Sequence, residues 1–445
     1  MTRPVPIIPH LIDRHAGDAG FYWAQITDSA HSPVVDLDGL ADLERLLDAH
    51  LDGLRAAGDA GWEAALAAWQ RWGTAEEMYV CARLALESDR ARERMRTLWP
   101  SDPARMQRVL PGLVGALAHT GALDWIQCRL GADSPLPAQE AAWRALARLA
   151  RMGTDVGAVA AHAMPAALRA AAAPIRRAAL GAAVRIGWLE LARPALGDPD
   201  PDVRAEAAID LVTQSPAAAA VVLREVIAAA LAGLAELSGT PHREAAEGLT
   251  RWVRYLALAA DPAAPTDERP PLPMPVRIGL EYALQRGAPA LLPWVVAQMH
   301  DPEAARLAGW VWSSLTGIDL EQHGLTLEPR EPDPDHEPPP TDELDSGLPL
   351  PDPAAVSACR LGSLGADPIL LGAPLRGEHA LNILRRASQA LRWIAARRHC
   401  GTGFDVCAPA ARQRVLLEGC EGKGLGRGGG HRGRGQFLLY PGKSN

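Results

Sequence analysis

Apolar residues recur at helical spacing along most of this chain. Between residues 36 and 58, leucines fall three or four positions apart and a glycine closes the series, at Leu40, Leu43, Leu47, Leu51, Leu54 and Gly58. This spacing places the leucines on one face of a helix, and glycine commonly ends a helix because it adopts the left-handed conformation. Similar patterns predict helices over 75–97, 104–120, 216–237 and 242–259. The chain is therefore predicted to be all-α.

Three segments of similar sequence recur at near-constant spacing: LVGALAHTG at 113–121, ALARLARMG at 145–153 and ALGAAVRIG at 179–187. Each segment closes on a glycine, and a similar spacing returns between Gly287 and Gly317. A period in this range is typical of a solenoid, in which no single repeat buries its apolar face and stacking forms the core. We therefore predict a HEAT-like α-solenoid of paired antiparallel helices.

The segment DPDPDVRAEAAIDLV at 198–212 is similar to the inner turn of HEAT-type repeats. In this interpretation Asp198 opens the turn and accepts hydrogen bonds from helix N-terminal amides. Arg204 begins the second helix and reaches carboxylates or carbonyls of the neighbouring turn. The segment IRRAAL at 175–180 keeps the β-branched residue and the arginine at the matching position of the previous repeat. Asp198 and Arg204 are therefore predicted to be structural residues of a repeat turn.

Changes in composition divide the chain into five segments. The predicted order is an irregular segment at 1–35 containing a short helix through 18–28, the solenoid at 36–323, an acidic proline-rich linker at 324–353, a helical segment at 354–415 and a Gly/Arg-rich tail at 416–445. Nine prolines and nine acids fall within 326–353, a composition that buries too little apolar surface to fold. After the linker, 376–399 is predicted to be one amphipathic helix with an inward face of Leu381, Leu384, Ala387 and Leu391.

Charge is distributed in blocks, although the net charge is −8. Residues 328–353 hold nine acids against one arginine, and residues 421–445 hold five Lys or Arg against one Glu. The remaining body is close to neutral, which argues against a nucleic-acid groove. The N-terminus lacks a signal-peptide pattern, and Arg224, Glu225 and Glu236 interrupt the most apolar window, at 216–237. We therefore expect a cytoplasmic protein that does not span a membrane.

No local pattern of a nucleophilic or metal-dependent enzyme is present in the sequence, so neither catalytic residues nor cofactors are predicted. A zinc site is an alternative for four residues near the C-terminus, but their spacing matches no standard finger and incidental thiols are favoured: His399, Cys400, Cys407 and Cys420. Most of the thirteen tryptophans occupy apolar positions typical of a core. Trp188, Trp252 and Trp310 are nonetheless candidate anchors for a protein partner, should a concave face expose them.

Several segments together resemble an uncharacterised family of bacterial HEAT-like proteins. The matching segments are FYW at 21–23, LDAHLDGLRAAG at 47–58, ARLAGWVWSSLTGIDL at 305–320, LPLPDP at 348–353, LRRASQALRWIAA at 384–396 and FDVCAPAARQ at 404–413. Genes of that family are often found near those for type VI secretion spike and tip components. The resemblance implies a repeat protein with an accessory or adaptor role in effector loading, whose partners are secretion spike or effector components. It provides no catalytic residues.

Three functions therefore stay open at this point. The leading hypothesis is a non-enzymatic scaffold that binds protein partners. The second is an enzyme of the HEAT-like lyase or glycosylase kind, which requires a concave surface with clustered arginines and a buried carboxylate that the sequence does not reveal. The third is nucleic-acid binding through the Gly/Arg tail. The resemblance to the family stops at Gln413. The tail is therefore also explained by a shifted reading frame in a GC-rich gene, which is the alternative to a nucleic-acid-binding segment.

Overall fold

The structure is a computed structural model of the chain, which describes residues 7–98, 103–131, 133–260, 267–327, 345, 347–362, 364–400, 406 and 408–421. It is mostly helical, as the sequence predicts. The α-helices are α1 Pro9–Asp28, α2 Leu37–Ala56, α3 Asp59–Trp72, α4 Ala75–Leu86, α5 Ala91–Thr97, α6 Pro103–Thr120, α7 Leu123–Gln127, α8 Leu136–Arg151, α9 Gly157–Ala161, α10 Met164–Ala167, α11 Ala173–Ile186, α12 Pro201–Leu211, α13 Pro216–Leu234, α14 Gly239–Ala259, α15 Val276–Arg286, α16 Leu292–Gln298, α17 Ala305–Thr316, α18 Pro353–Ala358, α19 Gly377–Arg386, α20 Gln389–Ala395 and α21 Ala410–Glu421.

Short helical turns and one hairpin complete the described elements. The turns of 3₁₀ type are Ser29–His31, Leu189–Leu191, Arg193–Gly197 and Pro289–Leu291, and a π-type turn covers Ala396–Cys400. Strands β1 (Ile369–Leu370) and β2 (Ala373–Pro374) pair antiparallel and form the only sheet among the described residues. The prediction that the body contains no sheet of consequence is therefore confirmed.

Successive helices pack mainly on their neighbours in sequence. Helix α6 lies between α4 and α8, α8 packs on α11, and α11 packs on α12, after which α13, α14 and α15 follow in order. The five glycines that mark the predicted period all have positive φ, between 63° and 98°: Gly121, Gly153, Gly187, Gly287 and Gly317. Each follows the predicted end of an apolar helical segment, as expected for left-handed helix ends. Tertiary contacts and sequence period thus agree on a serial arrangement of helices.

Two arginines, each at the fourth position of its helix, α11 or α12, make the same contacts with the backbone. Nη1 of Arg176 donates to the carbonyls of Ala170 and Ala171, and Nη1 of Arg204 donates to those of Asp198 and Pro199. Nη1 of Arg176 lies 2.8 Å from the Ala170 carbonyl oxygen, and Nη1 of Arg204 lies 2.9 Å from that of Asp198. Arg204 therefore holds the turn that precedes its own helix, and its contact with Glu225 of α13, at 3.5 Å, is weaker.

The role predicted for Asp198 belongs partly to Asp200. Asp200 caps α12 and accepts hydrogen bonds from the amides of Asp202 and Val203, at 3.0 and 3.1 Å. Asp198 lies too early in the chain to reach that helix end, and the backbone amide that it accepts is that of Asp200. Its carboxylate instead receives Nε and Nη2 of Arg176, at 2.8 and 2.7 Å, which joins α11 to the next turn.

Replacing Asp198 by Asn should remove this charge pair with α11 and lower the stability by about 1–3 kcal/mol at neutral pH. Hydrogen bonding from Arg176 lowers the pKa of Asp198 below the 3.8 of an ordinary Asp. The ionised carboxylate therefore stabilises the folded state above about pH 4, and that contribution disappears as the pH falls through the folded-state pKa. Urea denaturation at several pH values measures the difference between the two proteins. A difference that persists unchanged at the lowest pH would contradict the assigned ion pair.

The N-terminal segment departs from the prediction of an irregular chain over 1–35. Pro9 occupies the first turn of α1, where its missing amide hydrogen leaves no intrahelical bond unmade. The buried face of this helix consists largely of small residues, Ala16, Ala19 and Gly20, followed by Trp23. Because small residues give a weak apolar pattern, the sequence predicts only the C-terminal part of this helix.

The ends of the predicted linker are ordered and packed on α15 and α17. Leu327 donates its amide to the carbonyl of Leu350, and a β-bridge joins Thr326 to Pro351. Asp345 is buried and accepts both terminal nitrogens of Arg277, at 2.9 and 2.6 Å. The prediction of an unfolded segment over 324–353 is wrong at these ends, because a buried ion pair and backbone pairing hold them. Its central part, 328–344, lies outside the described residues.

The predicted single helix over 376–399 is two helices. Ala387 and Ser388 are extended between α19 and α20, so the amides of Gln389 and Ala390 reach the carbonyls of Val35 and Ser32, at 2.7 and 3.0 Å. The predicted inward residues Leu381, Leu384 and Leu391 are buried, whereas Ala387, at the break, is half-buried. The prediction that this segment docks on the body is confirmed, although through a break that helical periodicity does not reveal.

Helix α21 extends the ordered chain into the predicted tail. Leu417 is buried, and the helix continues to Glu421, so residues 416–421 belong to the folded body. Residues 422–445 lie outside the described part. The amide of Ala410 donates to both carboxylate oxygens of Glu44 in α2, at 3.1 and 3.0 Å. The two ends of the folded chain are therefore in contact.

Of the described helices, α13 alone is long and apolar enough to cross a membrane by length and composition. One third of its most apolar window is buried, and the helix packs on α12 and α14. A core helix of a soluble protein meets the same criterion.

Candidate functional site

A cavity of about 550 Å³ lies where the helical array, the N-terminal helices and the returning C-terminal segment meet. Its lining includes residues of α1, α2, α6, α8, α11, α12, α14 and α20, together with Val406 and Ala408 from the turn before α21. This volume is within the range of small-molecule and peptide pockets. We call it the arginine cavity, because five arginines line it: Arg144, Arg148, Arg151, Arg177 and Arg251.

Three of these arginines belong to α8. Arg144, Arg148 and Arg151 fall at positions i, i+4 and i+7, so their side chains lie along one face of the helix. Like charges at this spacing repel each other in an isolated helix. Glu140, one turn before Arg144, offsets part of this repulsion through a contact of 3.4 Å. The stripe therefore concentrates positive charge on one wall of the cavity.

Glu140 connects three successive helices beside this wall. It is almost completely buried, at 1% exposure, and accepts Nε2 of Gln107 from α6 at 3.1 Å. Arg177 of α11 approaches the same carboxylate at 3.8 Å and also binds Asp202 of α12 at 3.0 Å. A buried carboxylate requires such partners because an uncompensated charge is costly inside a protein. This network fixes α6, α8, α11 and α12 relative to each other.

Two further ion pairs join α11 and α14 to α12. Nη2 of Arg251 lies 3.0 and 2.8 Å from the two carboxylate oxygens of Glu206, which lines the cavity. Burial alone would raise the pKa of Glu206, but the nearby Arg251 holds it below its usual value. One turn further along α12, the fully buried Asp210 accepts a hydrogen bond from Arg185 at 2.6 Å. Burial raises the pKa of Asp210 to about 6, although Arg185 opposes that shift.

The opposite wall of the cavity is largely apolar. Trp23 and Ile26 come from α1, Leu40 from α2, and Pro111 and Val114 from α6. Trp23 is held in place by stacking on Tyr79, with ring centroids 5.0 Å apart. The cavity therefore sets an apolar surface against a cationic one.

The cavity carboxylate that contacts the returning C-terminal segment already accepts a hydrogen bond from it. Glu44 lines the cavity, and both of its oxygens accept the amide of Ala410. Burial raises the pKa of Glu44, while the hydrogen bond from Ala410 partly opposes the rise. In α21, the buried side chain of Gln413 donates to the carbonyls of Val406 and Ala408, at 2.9 and 2.7 Å. The returning chain is thus a fixed part of the cavity.

Small residues on α11 leave the cavity open. Gly181 and Ala178 line it one turn apart, and a Cβ built on Gly181 would meet only Oε1 of Glu206, at 4.0 Å. Gly181 has ordinary helical geometry, so nothing in the backbone requires glycine there. A larger side chain at this position would project into the cavity without clashing with the backbone.

The structure does not bring the sequence-predicted residues together at this site. Asp198 and Arg204 lie at the turn before α12 and are absent from the lining of the cavity. The three candidate anchors Trp188, Trp252 and Trp310 are half-buried and pack against the hydrophobic cores, outside the lining. Their role as partner anchors stays a prediction.

Within the described residues, no group of three His, Cys, Asp or Glu is placed to hold a metal ion. Cys407 and the side chains of Cys400 and Cys420 are not described, so the zinc alternative lies largely outside the described part. Comparisons with known proteins return no matching family model, curated protein or solved structure.

Sequence reasoning does not identify the arginine cavity. The spacing of Arg144, Arg148 and Arg151 is visible, but an arginine stripe on a helix is equally typical of a solvated face. Gly181, in the middle of α11, is a second visible signal, because an unneeded glycine inside a helix often has a packing or functional reason. Neither signal identifies the opposite wall, which depends on contacts between chain ends.

Proposed function

We propose that this chain is a non-enzymatic scaffold of the HEAT-like α-solenoid type that binds a partner protein through the arginine cavity. The solenoid interpretation is supported by the serial packing of α6 to α15, the left-handed glycines at the predicted period and the matching turn contacts of Arg176 and Arg204. Solenoids bind partners through surfaces composed of many repeats. The partner inserts a segment into the cavity.

One observation carries this proposal: consecutive helices of the array and helices near both chain ends converge on one accessible, two-sided cavity. Arg144 and Arg251 lie within the folded body, yet 43% and 45% of their side-chain surface stays accessible. Exposed guanidinium groups opposite an apolar wall suit recognition, since arginine and aromatic residues contribute strongly to binding energy at protein interfaces. By the family resemblance, the partner is a secretion spike or effector component.

Substitutions at Gly181 provide a test that leaves every charge in place. Gly181→Leu should fill part of the cavity and abolish partner capture, whereas Gly181→Ala should preserve capture, because a methyl group occupies little of the space. Immobilised wild-type and variant proteins are incubated with lysate of the native host, and retained proteins are quantified by mass spectrometry. A partner retained equally by wild type and Gly181→Leu would show that the cavity is not the binding site.

A second candidate is an enzyme of the helical-repeat lyase or glycosylase kind. The clustered arginines favour it, together with Glu44, a cavity carboxylate whose raised pKa suits it to hold a proton. Chemical conversion of a molecule incubated with the wild-type protein, lost in Glu44→Gln, would replace the scaffold proposal with this one.

Nucleic-acid binding through the tail concerns residues outside the described part, and salt-dependent retention on DNA with and without residues 422–445 tests it.

A further inference from the structure

The arginines of the cavity differ in how far their charge is compensated. Arg251 binds both oxygens of Glu206, and Arg177 binds Asp202 and approaches Glu140. Arg144 shares Glu140 with Arg177, at 3.4 Å. These three guanidinium groups are therefore largely committed to the ion-pair network that joins the helices.

Arg148 is the exception. It lies in the middle of the α8 stripe, is half-buried and lines the cavity, yet its side chain makes no hydrogen bond or ion pair to any residue that the structure describes. Guanidinium groups carry five donors in a planar fork that matches carboxylate and phosphate oxygens. An anion is therefore the complementary group at this position.

Among the described residues, neither carboxylate that lines the cavity forms an ion pair with Arg148. The lining that the structure describes has five guanidinium groups and two carboxylates, Glu44 and Glu206. Glu206 is bound to Arg251, and both oxygens of Glu44 accept the amide of Ala410. The charge of Arg148 is thus unpaired within the described lining, and a ligand that supplies negative charge would relieve the repulsion along the helix.

The apolar wall limits what else the ligand carries. Trp23, Leu40 and Val114 face the same space as Arg148, within about 550 Å³. A bare inorganic anion would leave this surface without contacts, while an anion attached to an apolar group would bury it. The volume accommodates a side chain pair or a small organic molecule rather than a nucleic-acid duplex.

We propose that the arginine cavity binds a carboxylate or phosphate group carried next to an apolar group, with Arg148 as the guanidinium that engages the anion. This inference rests on the proposed function, since it names the chemistry of the segment that enters the cavity. Phosphate and carboxylate share this recognition by arginine. An acidic and a phosphorylated side chain are the two sources of the anion.

Three blocked dipeptides test the inference by ligand-observed NMR on the full chain. Acetyl-Leu-Asp-amide and acetyl-Leu-phosphoserine-amide supply the two anions, and acetyl-Leu-Asn-amide is a neutral analogue of nearly the same shape. We expect the better anionic peptide to bind at least about tenfold more tightly than the Asn peptide, because a charge-assisted hydrogen bond is lost in the latter. The anionic peptide that binds more tightly shows whether an acidic or a phosphorylated side chain supplies the anion.

Variants at Arg148 then assign the site. Arg148→Ala should weaken binding of the anionic peptide by about tenfold and leave the Asn peptide unchanged, while Arg148→Lys should retain part of the affinity because it keeps the charge. Arg243→Ala is the matched control, since Arg243 is exposed on α14 outside the cavity lining. Circular dichroism verifies that each variant is folded.

Three outcomes would overturn the inference: equal affinity for the Asp and Asn peptides with no tighter phosphoserine binding, an equal loss in Arg148→Ala and Arg243→Ala, or no saturable binding of any peptide at millimolar concentration. Failure of the proposed function is distinguishable from these. If Gly181→Leu abolishes partner capture while Arg148→Ala binds the anionic peptide as tightly as the wild type does, the scaffold proposal stands and only the anion assignment fails. If Gly181→Leu captures the partner normally while the anionic peptides bind through Arg148, the cavity serves a separate ligand.

Discussion

Asp210→Ala is expected to destabilise the protein by about 3–5 kcal/mol, because it leaves a buried arginine without its counter-charge. The Asp210 side chain is 0% exposed and that of Arg185 is 6% exposed, and they meet at 2.6 Å. Water therefore cannot replace the lost carboxylate. Urea denaturation followed by circular dichroism measures the loss as a shift of the midpoint at an unchanged slope.

Asp202→Ala is the matched control on the same helix. Asp202 also binds an arginine of α11, but its side chain is 52% exposed and that of Arg177 is 35% exposed. An exposed pair of this kind contributes about 0–1 kcal/mol. The double variant Arg185→Met/Asp210→Leu should recover most of the stability, because apolar residues can replace a buried ion pair. Equal small losses for Asp210→Ala and Asp202→Ala would contradict the assigned burial of the pair.

Gly112→Leu should cost about 3 kcal/mol or more, because α6 and α4 approach too closely for any side chain at this position. A Cβ built on Gly112 would overlap the carbonyl oxygen of Ala75 and lie 2.9 Å from the backbone nitrogen of Tyr79. Backbone atoms cannot rotate away as a flexible side chain does, so the helices would have to separate. That separation would also move Pro111 and Val114 out of the cavity wall.

Gly181→Leu provides the comparison, since the same substitution there meets open space. Leucine is a better helix former than glycine by roughly 1 kcal/mol, so this variant should keep or slightly increase the stability. Thermal denaturation of both proteins distinguishes the two environments. A comparable loss at both positions would mean that the cavity beside α11 is closed rather than open.

Helical periodicity is sufficient to predict the array but not its termini. Leu47, Leu51 and Leu54 are buried on one face of α2, and the period marked by Gly121 and Gly153 coincides with left-handed helix ends. These are local properties that neighbouring residues determine. Most of helix α1 escapes prediction because its buried face is formed by small residues that resemble those of a loop, namely Ala16, Ala19 and Gly20.

The cavity cannot be predicted from the sequence because its walls meet through long-range contacts. Glu44 and Ala410 lie near opposite ends of the chain, and no local pattern specifies that they touch. The break at Ala387 has the same origin, since it allows the amide of Gln389 to reach the carbonyl of Val35. Without the returning segment, Arg148 belongs to an apparently solvated helix face. Its position in a cavity is a property of the tertiary fold.

The central claim is that a partner protein binds in the arginine cavity. The most direct measurement is the dissociation constant of the captured partner, determined by calorimetry, for Gly181→Leu and Gly181→Ala. Our account predicts that Gly181→Ala binds as the wild type does, and that Gly181→Leu binds at least about a hundredfold more weakly although it is equally stable. Equal dissociation constants for the two variants would contradict it.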